Sequence, residues 1–466
     1  MADELIPEPT RRQRRRRSDG DRSPAKHAAL VVFALLVTLG PLAFGAVDRV
    51  VQIALTGLLG IGMLLVPPRV ILMSAWISRA LLALTALVVL KEVAPAGWFG
   101  AVGWRTTVEQ SFGLALPWTH HPEAGRAFDG WLAGAVAVGW FAWVRTLAAE
   151  REDRMRLAWV MLIGAALIAA VSFGTATSTE SKMILGLRYS SGWIGFGPFP
   201  NRNHSACYFA MAAILGAGCV ARSGEHRRFV WLALGALMLG GVLLALLRTQ
   251  SRGGIVALGA GFAIFLGIVL LKLRSRKVLA VAVASALLIG GLGLLAGGKT
   301  LQRIAGTGQA MDESASARVA IWKNAATMWH DAPLLGHGLG AFASVFPVYQ
   351  QIALEEVTVK HPESSWLQWL TELGLVPVLL GALAALGFAL PNLTSLFERQ
   401  SGFFIRAAAF GAVAALLAHA VFDVPAHRWG TAGFALAALA LACPASSEGP
   451  RAPRLAALVP LGVAGF

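Results

Sequence analysis

The residues of this chain best equipped for chemistry are His361 and a scattered set of arginines: Arg188, Arg202, Arg248, Arg252, Arg303 and Arg318. A neutral imidazole can take a proton from a poor nucleophile such as a hydroxyl. Guanidinium stays charged and grips phosphate oxygens through a bidentate fork, so several arginines meeting at one place make a seat for a pyrophosphate. Taken singly, each arginine reads equally well as an interfacial anchor with its head in water. Convergence is what would turn anchors into a site.

His361 opens the run His361-Pro362-Glu363-Ser364-Ser365-Trp366. Pro362 suits the first position of a helix and Glu363 its first turn, which predicts His361 at the N-cap. The positive end of the helix would favour neutral imidazole there, with Glu363 opposing that effect. His120, His121, His204 and His337 are weaker candidates, because nothing around them fixes a position equally well. Arg318 to Trp329 has the spacing of an amphipathic surface helix, with Val319, Trp322, Ala326 and Trp329 on one side and Lys323 and Asn324 on the other. Beyond it, Gly336-His337-Gly338-Leu339-Gly340 resembles a phosphate-binding loop superficially. Without a preceding strand it reads better as a tight turn, and no nucleotide is assigned. There is no HExxH pair and no Cys/His set with zinc spacing. Asp312-Glu313 and Glu355-Glu356 read as solvated acids. No metal and no cofactor are expected.

The elements that must hold these groups are membrane spans. Hydrophobic residues make up 56% of the chain against 14% charged, with a mean hydropathy of +0.64. The apolar residues come in blocks near the roughly 20 needed to cross a bilayer. Continuous runs such as Phe229 to Leu247 exclude a soluble fold and lack the alternation of a β-barrel. The expected fold class is all-α: a polytopic membrane protein of about twelve transmembrane helices. A basic, disordered cytoplasmic tail is predicted over 1–27, helices one to nine over 28–297, a large periplasmic loop over 298–363, helices ten to twelve over 364–443, and a cytoplasmic segment over 444–466. Leu455 to Phe466 is apolar but too short to span, so it is either a cut thirteenth helix or a stretch lying on the membrane. Lys/Arg clusters fall on the side assigned to the cytoplasm, which puts the polar loops outside. The net charge of +15 and Arg11-Arg12-Gln13-Arg14-Arg15-Arg16-Arg17 invite a nucleic-acid partner. Directly before a first span, however, such a tail follows the positive-inside rule and is attracted to anionic lipid. Cys207, Cys219 and Cys443 lie in apolar segments and read as small buried hydrophobes.

Certain pieces of the chain resemble the O-antigen ligase and polymerase superfamily of bacterial membrane glycosyltransferases. They are Ser251-Arg252-Gly253-Gly254; Arg318 with Trp322, Ala325, Pro333, Gly336, Gly338 and Phe342; and His361 leading into Leu367, Leu370, Glu372 and Gly374. Asn201-Arg202-Asn203-His204 also looks like a motif of some members, and the resemblance spans about Pro198 to Leu390. It implies transfer of a glycan from undecaprenyl diphosphate to an acceptor hydroxyl at the periplasmic face of the bacterial inner membrane. The N-terminus would then be cytoplasmic. His361 would activate the acceptor and Arg252 and Arg318 would hold the diphosphate; the convergence of outer-loop arginines, read independently, adds Arg188 and Arg202 as second-rank members of the same seat. Glu363, Asn203, His204, Lys323 and His337 would be supporting residues. Many members have Asn where this chain has Pro362, so no Asn contact is carried over. A ligase passing a glycan to lipid A core or protein and a repeat-unit polymerase would share this donor site. A transporter or flippase for lipid-linked sugar is a further reading, disfavoured because few spans carry ionisable groups beyond Arg79 and Arg145.

Overall fold

A computed structural model describes residues 23–69, 74–98, 103–175, 182–184, 187–189, 195–275, 309–351, 359–398 and 402–444. The expected tail over 1–22, the ninth span near 278–296, Arg303 and the segment after 444 lie outside the described residues. The first helices are α1 (Pro24–Leu42), α2 (Arg49–Leu65), α3 (Ala75–Val93), α4 (Gly103–Phe112), α5 (Ala124–Leu147) and α6 (Arg151–Gly174). A short antiparallel pair follows, β1 (Lys182–Ile184) with β2 (Leu187–Tyr189). Next come α7 (Arg202–Glu225), α8 (Phe229–Arg248), α9 (Arg252–Leu273), α10 (Gln309–Asp331), α11 (Phe342–Tyr349), α12 (Ser365–Leu373), α13 (Leu375–Glu398), α14 (Phe403–His419) and α15 (Trp429–Ala442).

Among the described residues seven helices are long and apolar enough to cross a bilayer: α1, α5, α6, α7, α8, α9 and α13. α2, α14 and α15 are apolar but shorter. The chain is therefore a polytopic α-helical membrane protein. α7 is its axis, packed by α6, α8, α9 and α14 and almost continuously buried from His204 to Leu215. α9 and α14 approach at backbone distance, since a Cβ on Gly261 would stand 2.3 Å from the Gly411 carbonyl oxygen. Small residues at such crossings provide the close packing that lipid-embedded helices depend on. Buried Arg406 clamps three segments together, donating to the carbonyls of Ala442 (2.8 Å) and Asn392 (2.9 Å) and to Ser395 Oγ.

Two expectations about the polar region need correcting. The first of the three helices predicted over 364–443 is in fact two, α12 and α13, broken at Gly374 with φ 81°. The break follows from docking. The turn over Gly336–Gly340 packs so tightly on the end of α12 that a Cβ at Gly336 would meet the Glu372 backbone at 2.5 Å, and one at Gly374 the Leu335 nitrogen at 2.4 Å. Second, His361 is not the N-cap. Ser364 caps α12 by accepting from the Leu367 N–H, and Glu363 sits outside the helix with φ 53°. A serine hydroxyl reaches a first-turn N–H readily, and it takes the capping role from the residue ahead of the proline.

Candidate functional site

The site is built from helix ends brought to one level. Asn201 caps α7, its Oδ1 accepting from the Asn203 N–H at 2.8 Å, and Ser251 caps α9, accepting from the Gly254 N–H. The two caps are tied together, because Ser251 Oγ donates to Asn203 Oδ1 at 2.8 Å. Polar capping residues are chosen for helix starts; here their linkage also sets Arg202 and Arg252, the first residues of α7 and α9, at neighbouring helix ends. The start of α12 is sewn to the end of α14, with the Ser365 N–H donating to the carbonyls of Ala420 (2.9 Å) and Asp423 (3.0 Å). Trp366 Nε1 adds a bond to the Leu417 carbonyl.

Around these ends the ionisable groups gather. Asp423 is 1% exposed and accepts from three places: His204 Nε2 at 3.0 Å, Asn201 Nδ2 at 3.4 Å and the Val424 N–H at 2.7 Å. Burial opposes its ionisation, but His204 first, then His419 and the Val424 N–H, overcome that and hold the carboxyl well below the usual range. His361 Nδ1 lies 3.0 Å from Gln368 Oε1, and an Arg428 nitrogen lies 3.3 Å from its Nε2. Burial first and the Arg428 charge second lower its pKa to about 4, so it is neutral at physiological pH. The expected helix-end effect is thus replaced by two others. His427 stacks beside it, ring centroids 6.0 Å apart, and is lowered to about 3 by burial and by His361 and Arg428. Glu363 faces Arg318 at 3.8 Å; burial, then Asp423, raises its pKa against the arginine. The buried His419 ring stands against Gly253, where a methyl group would meet Nε2 at 3.2 Å. Neither of its ring nitrogens has a hydrogen-bond partner among the described residues.

A cavity of about 350 Å³ opens beside this cluster, lined by Pro200, Asn201, Arg202, Asn203 and Arg318. Of the expected arginines, Arg202 and Arg318 therefore share one opening. Arg252 stands exposed at the start of α9, next to the Ser251–Asn203 link. Arg188 pairs through its backbone with Met183 in the hairpin. Arg248 is exposed at the end of α8, and Lys323 lies on an exposed face of α10. His337 sits elsewhere: Nε2 bonds the Met328 carbonyl at 2.7 Å and its N–H bonds the Thr371 carbonyl at 2.9 Å, deep in the packing of α10 and α12. The glycine turn uses its N–H groups in the same way, Gly338 on the Glu372 carbonyl and Leu339 on Glu92 Oε1, both at 2.9 Å.

Sequence reasoning missed His419, the last residue of α14, and Asp423, His427 and Arg428 in the connection from α14 to α15. The signal was present. Four ionisable residues crowd a short break between two apolar runs, and counting spans puts that break on the same side as His361.

Residues 233–386, from within α8 to within α13, match a family model described as O-antigen ligase. The matched stretch contains Arg252, Arg318 and His361, while the His204 and Asp423 region lies outside it. No curated protein matches the chain.

Proposed function

From the premise that residues 233–386 belong to the O-antigen ligase and polymerase superfamily, we propose that the chain transfers a glycan from undecaprenyl diphosphate to an acceptor hydroxyl at the periplasmic face of a bacterial inner membrane, as a ligase. One observation carries this reading. Two arginines, Arg202 and Arg318, line a single polar opening, and Arg318 reaches the same short turn that bears the neutral His361.

The chemistry suits a single in-line displacement. The acceptor oxygen attacks the anomeric carbon, the bond from that carbon to the diphosphate oxygen breaks, and the lipid diphosphate departs with its electron pair. The acceptor hydroxyl takes the place of the Arg428 N–H at the one Nε2 lone pair of His361, and its proton passes there, a transfer worth typically a hundredfold or more. Arg318 and Arg202, with Arg252 at the adjoining helix start, balance the charge that develops on the leaving diphosphate. Inversion at the anomeric carbon follows from one displacement. With guanidinium groups supplying positive charge, the step does not call for a divalent cation.

The test is a purified assay with a lipid-linked repeat unit, offered alone and then with candidate acceptors. Transfer only when an acceptor is added supports the ligase; chain growth without one selects the polymerase. Activity lost to a chelator and restored by a divalent metal would overturn the metal-independent displacement.

A further inference from the structure

The bonds around His361 assign its tautomer, and they do so from both sides of the ring. A guanidinium has N–H donors and no acceptor. The Arg428 nitrogen 3.3 Å from Nε2 therefore meets a lone pair, which leaves the ring proton on Nδ1. Nδ1, 3.0 Å from Gln368 Oε1, must accordingly donate to a carbonyl oxygen. Gln368 can present that oxygen only if its NH₂ group points the other way. It does: Nε2 donates to Glu372 Oε1 at 3.0 Å, one turn along α12. With Glu372 ionised, the reverse amide orientation would set the Gln368 oxygen against a carboxylate oxygen, the one that also accepts the Phe342 N–H. Glu372 is itself held in place. It is 3% exposed, its carbonyl receives Lys91 Nζ at 2.8 Å and the Gly338 N–H at 2.9 Å, and Gly336 packs on its backbone so closely that a Cβ there would collide with it.

We propose that Gln368 and Glu372 are positioning residues that hold His361 as the Nδ1–H tautomer, with its Nε2 lone pair turned toward Arg428 and the site. This rests on the reading of His361 as the base. A histidine in the other tautomer would present an N–H to the acceptor and could not take its proton, so the pair would govern turnover without touching substrate. It also joins the reaction site to the buried packing at the far end of α12. Other groups face the same ring environment: Arg428 and His427 from the α14–α15 connection, His204 from α7, and Asp423. Lys91 faces Glu372 from α3.

The experiment records imidazole nitrogen NMR on isotope-labelled protein in lipid nanodiscs, the His361 signals being assigned by their loss in His361→Ala. The wild type is expected to show a protonated Nδ1 and an unprotonated Nε2 at neutral pH. Gln368→Met removes both bonds while keeping length, and should lower kcat about ten- to a hundredfold with KM within about twofold. Glu372→Gln leaves the amide orientation undictated and should return a mixture of tautomers with a smaller loss in kcat. A wild-type spectrum with the proton on Nε2 would overturn the proposal, whether or not Gln368→Met folds. So would a Gln368→Met protein with an unchanged tautomer and full turnover. If His361→Ala turned over normally while the wild type showed the expected tautomer, the positioning would stand and the base reading alone would fall.

Discussion

α12 has a polar cluster at each end, built from the same residue types and put to different uses. At its C-terminal end, His120 Nε2 contacts the Gly336 carbonyl at 3.2 Å, His121 Nε2 the Leu339 carbonyl at 2.9 Å and His337 Nε2 the Met328 carbonyl at 2.7 Å. Lys91 and Glu92 likewise bond backbone groups. Burial lowers His120 and His337 to about 4 each. Apart from His121 facing Glu92 Oε2 at 3.6 Å, these contacts run to main-chain atoms, so the cluster fastens the glycine turn and α12 to α3. At the N-terminal end, by contrast, side chains meet side chains: His204 with Asp423, Arg318 with Glu363, Arg428 with His361. A cavity opens beside them. A depressed histidine pKa occurs at both ends and so identifies neither. What separates the two ends is the balance: mostly backbone partners at the closed end, mostly side-chain partners beside an opening at the other.

The largest expected contrast comes from removing one histidine from each end of α12. His361→Ala should lose about a hundredfold or more in turnover, close to 3 kcal/mol of barrier, while still binding the lipid-linked donor. His337→Ala should melt at lower temperature yet keep the turnover of its folded fraction. Normal turnover in His361→Ala, measured alongside donor binding, would erase the distinction.

Next in size is the arginine opening. Arg318→Ala and Arg202→Ala should each weaken donor binding and turnover about tenfold or more, with Lys restoring only part, because the bidentate fork is lost. Titration with the donor in nanodiscs measures this, and full activity at normal expression would return that arginine to an interfacial anchor.

At the other end, Gly336→Ala should cost stability, by roughly 1–3 kcal/mol for the left-handed backbone alone, with the collision against Glu372 in addition. Thermal unfolding in detergent reads this, and an unchanged midpoint would show that the turn can be remodelled.

The smallest expected effect is a displacement in pH. If His361 is the base, as proposed, its neutral form is the active one, and activity should fall only as pH drops through its lowered pKa, leaving the kcat/KM profile flat on the acid side down to well below 6.5. Arg428→Met removes a charge that disfavours imidazolium, so the acid limb should move to higher pH. A limb that stays in place would mean that the step titrates on another group.

How legible was this from residues alone? Membrane spans were, because a bilayer demands long apolar runs whatever surrounds them, and α8 lies close to where the run Phe229 to Leu247 predicted it. Gly336–Gly340 was legible as a turn, since repeated glycine supplies positive φ; Gly336, Gly338 and Gly340 all have it. The buried cysteines were also legible. His361, Arg202 and Arg318 were found as candidates by type and setting. Tertiary structure alone decided their company. Asp423 and Arg428 come from a connection more than fifty residues beyond His361, and nothing local in either segment encodes the meeting. It depends on α14 delivering its C-terminal end to the start of α12 through the Ser365 bonds. The break at Gly374 was hidden for the same reason. An apolar run continues through it, and only the turn packed against Glu372 makes the helix end there. Apolar pattern and backbone demand are local properties that each segment carries with it, whereas the pairing of charges is set by which helix ends share a level, and packing across the whole bundle determines that.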